Sequence, residues 1–112
     1  MYPEDQIVEL KELCSELKLA SEGGIEYLLM PALALPEGCT PTTVDALLCP
    51  TTRDGYPSRL FFAERVTART PRNWNAQNVR ILERNWHAYS WKVNKTGLRL
   101  AQIVLAHLTA LR

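Results

Sequence analysis

Trp86, His87, Tyr89 and Trp91 crowd into six consecutive residues of the stretch ERNWHAYSW. A histidine titrates near neutrality, so His87 could serve there as a base or a hydrogen-bond donor. It could equally be a hydrogen-bonded structural residue. Large aromatics bury on the order of 150–250 Å² each, and a small domain needs that area, so Trp74, Trp86 and Trp91 also read as core or corner residues. His107 lies on the apolar side of a helical pattern, where a histidine serves packing. Two histidines and the scattered Cys14, Cys39 and Cys49 make no metal-ligand spacing, and no cofactor is expected. Arg65, Arg69, Arg72, Arg80 and Arg84 interleave with Trp74, Asn75 and Trp86. That is a pattern a nucleic-acid groove also shows, although no nucleic-acid signature accompanies it.

Something must hold these residues in place. The chain has 112 residues, 46% of them apolar, the size and composition of a single domain spanning 1–112. No apolar run reaches membrane-spanning length. The opening MYPEDQIVEL is acidic and lacks a signal pattern, so a cytoplasmic location with free thiols is expected. The net charge of +1 hides a division. Residues 1–52 carry two basic and nine acidic side chains; residues 53–112 carry eleven basic and three acidic. Either the two halves neutralise each other across the fold, or the second half faces an acidic partner.

Apolar periodicity predicts a first helix over residues 5–20, with Asp5 as N-cap and Ser21–Gly24 as its end. Alternation from Ile25 predicts a strand that is at an edge or bulged at Pro31. TTVDALLCP reads as a second strand and Leu60–Ala63 as a third, extending toward Val66. Residues 69–96 read as a long aromatic loop with a short element near Val79–Leu82. A final helix begins at Thr96, with Leu100, Ile103, Val104, His107, Leu108 and Leu111 on one face. The expected architecture is α+β: an N-terminal helix, an antiparallel meander of three to four strands, the loop, and a C-terminal helix.

This order resembles the ubiquitin-conjugating enzyme superfamily, and within it a small bacterial branch from ubiquitin-like modification operons. Tyr56-Pro57 in DGYPSRLFF stands where the family has its Tyr-Pro pair. RNWHAYS looks like the branch's Trp- and His-containing stretch, with His87 the match. SWKVNKTGL looks like its tryptophan-basic stretch, with Trp91 and Gly97-Leu98 as matching points. The similarity covers roughly residues 25–111. The resemblance implies binding roles for Tyr56, Pro57, Trp86, His87 and Trp91, with a ubiquitin-like protein or its activating enzyme as partner. It does not carry over the thioester chemistry, because no cysteine lies between Pro57 and Arg112. Nor is there a His-Pro-Asn tripeptide. Its echoes are Asn73 and Asn75 in NWN and Asn85 with His87 in NWH, where an asparagine would stabilise an oxyanion. Two readings follow: a noncatalytic or atypical member, or an active one with a displaced nucleophile, Cys49 or Cys39.

Overall fold

The apolar stripe of the first helix stops short. In the computed structural model, which describes residues 2–112, α1 covers Glu4–Leu13 and Cys14 is already extended. The expected continuation to residue 20 is instead strand β1, Lys18–Glu22, paired antiparallel with β2, Ile25–Ala34. Gly23 and Gly24, expected to end the helix, make the two-residue hairpin turn between them. Both have positive φ (60° and 80°), which matches the twist of the flanking strands and costs glycine little. Strand pairing has overridden a local helical pattern.

β3 (Thr43–Cys49) and β4 (Arg59–Phe62) extend the meander. β2 is interior, so of the two arrangements Pro31 allows, an edge or a bulge, it takes the bulge. Ala32 takes a positive φ there, and its freed N–H donates to the Asp45 carboxylate at 2.9 Å. That bond, then Arg84 beside it, holds the Asp45 carboxyl below its usual range.

The long aromatic segment is no loop at its centre. It forms β5 (Ala76–Ile81) and β6 (Arg84–Ala88), a hairpin turned by Leu82 and Glu83. The six strands run antiparallel in the order β1-β2-β3-β4-β6-β5. The sheet curls until the hairpin tip meets the first turn, where the Leu82 N–H donates to the Glu22 carboxylate at 3.0 Å.

α2 is Leu100–Thr109 and starts later than Thr96. Gly97, with φ of 75°, turns the chain between Thr96 and the helix. Glutamines satisfy the first amides: Gln102 accepts from Arg99 N and Gln6 of α1 from Leu100 N.

The helices share one face of the sheet, over Leu10, Leu28, Met30, Leu48, Phe62, Val104 and their neighbours. The opposite face has no helix, yet Tyr27, Leu47, Cys49, Phe61, Ile81, Trp86 and Ala88 are buried there by the curl itself. β4 is accordingly buried at every position. The molecule is thus α+β, with an N-terminal helix, a curled six-stranded antiparallel sheet and a C-terminal helix.

The charge division is bridged in part across the fold. Arg69 pairs with Glu37, Arg84 with Asp45, and Arg99 with both Glu9 and Asp5, each linking the basic half to the acidic half. Such surface pairs add little stability singly, but they remove three arginines from any continuous basic groove. Among the described residues, no helix is long and apolar enough to cross a membrane.

Candidate functional site

Two interruptions of the sheet open a cleft. β4 stops at Phe62, and Glu64 and Arg65 leave the sheet before Thr67 rejoins it by paired backbone bonds with Thr40. On the other side β5 bulges between Ala76 and Val79, with Asn78 at φ 55°, a conformation asparagine tolerates. Between them lies an open cleft of about 670 Å³ lined by Glu64, Arg65, Val66, Thr67, Trp74, Gln77, Asn78 and His87.

His87 is opposite Phe62 in the β4–β6 pairing and half-buried. Its Nδ1 accepts from the backbone N–H of the bulged Asn78 at 3.3 Å. That bond places the proton of the neutral ring on Nε2. The ring therefore offers the cleft a hydrogen-bond donor, and it could act as a base only by giving up Asn78. No thiol lines the cleft. It presents one imidazole donor, one carboxylate, one guanidinium, two carboxamides and an indole.

A second polar assembly is centred on Tyr56. Asp54 and Gly55, both at positive φ, turn the chain so that Arg53 and Tyr56 exchange backbone bonds at 2.9 Å. The Tyr56 phenol accepts from Asn75 Nδ2 at 2.7 Å and donates to Ser90 Oγ at 3.1 Å. Asn75 Oδ1 in turn accepts from Arg59, whose guanidinium lies 4.1 Å from the Tyr56 ring centroid. The Ser90 bond foremost, then Asn75 and the Arg59 and Lys92 charges, lowers the phenol's pKa. Tyr56-Pro57 thus locks the loop before β4 to the segment before β5 and to Ser90 after β6.

The structure scatters the other candidates. Trp86 is fully buried, donates its indole N–H to Ile81 O at 2.9 Å, and offers nothing to a partner. Trp91 is half-buried; it donates to Ala106 O at 3.2 Å, and Arg72 lies over its ring. Asn85 shares a strand face with His87 but bonds Arg80 and lies outside the cleft. His107 is buried, bonded through Nε2 to Ser58 Oγ at 2.9 Å. Among the described residues, no three His, Cys, Asp or Glu side chains converge as metal ligands.

The thiols are closed. Cys49 has no exposed surface and Cys39 only 4%, while Cys14 is buried and donates to Pro31 O. Burial raises the pKa of Cys14 and Cys39, so both stay protonated at neutral pH. A displaced nucleophile needs an open thiolate, and neither Cys49 nor Cys39 supplies one. The expected outcome of thiol alkylation of the native protein is labelling more than about 100-fold slower than in denaturant, because access requires opening of the fold. Fast labelling of native Cys49 or Cys39 would restore the displaced-nucleophile reading.

Sequence reasoning found His87 and Tyr56 but missed Asn78, Gln77 and Glu64 around the first, and Arg59 beside the second. Arg59 had a signal: Ser58 and Arg59 directly precede the apolar run Leu60–Ala63. The cleft residues had none, since they meet only through the bulge and the chain excursion. No family model matches this chain, and neither a curated protein nor a solved structure gives a significant match.

Proposed function

We propose that the protein is a noncatalytic member of the ubiquitin-conjugating-enzyme fold, of the small bacterial kind, that binds a ubiquitin-like protein or its activating enzyme. The observation that carries this reading is the order of elements: a helix followed by an antiparallel meander, with Tyr56-Pro57 in the turn before β4. The closed thiols support the noncatalytic form of the reading. The cleft beside His87 is the surface best suited to a partner's polar chain, because it presents donors and acceptors from two irregular backbone segments.

The test combines two measurements. The protein is incubated with ATP, a bacterial ubiquitin-like protein and its activating enzyme, then run on a nonreducing gel and by gel filtration. A stable complex without a reductant-sensitive adduct is the expected result. His87→Ala should weaken that complex roughly five- to tenfold, the worth of one hydrogen bond. An adduct abolished by Cys49→Ser or Cys39→Ser would make the protein an enzyme instead. Neither complex nor adduct would remove the conjugation pathway from consideration.

A further inference from the structure

Arg59 is the one lysine or arginine among the described residues that the fold buries, and it makes no ion pair. Only 3% of it is exposed. One terminal nitrogen donates to the Asn75 carboxamide oxygen, while Nε is sealed from solvent with no acceptor. A guanidinium withdrawn from water ordinarily has a carboxylate or another anion against it. Here its guanidinium carbon lies 4.1 Å from the Tyr56 ring centroid and 5.9 Å from that of Phe61.

The surroundings add positive charge rather than cancel it. Arg53 lies over the same Phe61 ring at 5.6 Å; it donates to the Tyr27 hydroxyl, and its buried Nε makes no hydrogen bond but faces the Asp54 carboxylate at 3.4 Å. Lys92 Nζ is 5.9 Å from the Tyr56 ring centroid. The carboxylate at hand is Asp54, 3.4 Å from Arg53 and largely exposed. Three cations against one carboxylate leave a surplus of two positive charges around one buried fork.

We propose that Arg59, with Arg53 and Lys92, forms a binding site for a phosphate monoester at the Asp54-Gly55 turn. Such a group carries between one and two negative charges at neutral pH and three acceptor oxygens, which matches the surplus and the unfilled donors better than a single carboxylate does. The Asn75 carboxamide oxygen now occupies the place of a ligand oxygen. Asn75 sits on the exposed segment before β5, so its side chain can yield that place without disturbing the sheet. This site is independent of the His87 cleft and of the conjugation reading.

The test is a titration of the ¹⁵N-labelled full chain with inorganic phosphate at constant ionic strength, following the arginine Nε–Hε resonances. A saturating shift of the Arg59 resonance is expected, with acetate binding at least about tenfold more weakly because it carries one charge. Lys92→Gln and Arg53→Gln alter partly exposed side chains and should each weaken phosphate binding roughly two- to fivefold. Arg59→Gln should abolish it, and the two surface variants decide the matter should that variant not fold. Phosphoserine and adenosine 5′-monophosphate then distinguish an amino-acid from a nucleotide source by which binds more tightly than free phosphate. A drift identical to that produced by chloride, or affinity unchanged in both surface variants, would overturn the site.

Discussion

Trp86→Ala should destabilise the protein by about 3–5 kcal/mol, the usual cost of deleting a large buried aromatic. Domains of this size hold about 5–15 kcal/mol in total, so the variant should be marginally folded. Trp86 has no exposed surface, and it packs in the cluster of Tyr27, Leu47, Phe61 and Ile81 on the sheet face that no helix covers. A cavity there would be closed by no rigid neighbour on the outside; the curl itself depends on that filling. Trp86→Phe keeps most of the volume but loses the indole bond to the Ile81 carbonyl, for about 1 kcal/mol. Urea denaturation monitored by circular dichroism gives both values. A loss below about 1 kcal/mol in Trp86→Ala would mean that the second core does not exist as described.

Acidification should destabilise the protein well before its carboxylates are protonated. Burial foremost, and then the neighbouring Arg59 charge, lowers the His107 pKa from 6.5 to about 4. An unfolded chain therefore binds a proton at His107 between those values while the fold does not. Stability is then full above pH 6.5 and falls as pH drops toward 4. The integrated loss is roughly 3 kcal/mol for this one group. Asp45 titrates lower, because the Ala32 N–H and Arg84 hold its carboxyl down, so its contribution is lost in a more acid window. Urea midpoints at pH 7 and pH 4.5 should differ clearly in the parent protein. In His107→Gln the difference should shrink, even though losing the Ser58 bond lowers stability at both pH values. An equal slope in parent and variant would show that His107 is not the group responsible.

Local signals identified α2, the disruption at Pro31, β3 and β4. They overextended α1, which ends at Leu13 rather than residue 20 and is capped at Pro3 rather than Asp5. α2 shows its apolar face in consecutive residues, and the buried His107 lies on that face. Pro31 lacks an N–H, so an edge position or a bulge follows from covalent structure, and the pairing of β2 on both sides leaves the bulge. β3 and β4 are short β-branched and apolar runs between turn residues. The hairpin β5–β6 was illegible for two reasons. The bulge at Asn78 breaks its alternation, and its turn uses Leu82 and Glu83 rather than glycine or asparagine.

By itself, then, the sequence determined an α+β chain with a helix at each end, a strand through Pro31 that is bulged or at an edge, and His87 and Tyr56 as residues worth locating. Only the tertiary structure decided that Lys18–Glu22 is a strand, that the sheet has a second sealed face, that Trp86 belongs to it, and that His87 opens onto a cleft. The reason is one of range. A helix face or a proline acts on its own neighbours, whereas the curl brings together Glu22 and Leu82, sixty residues apart. The burial of Arg59 depends in the same way on Tyr56, Phe61 and Asn75, brought together from different elements.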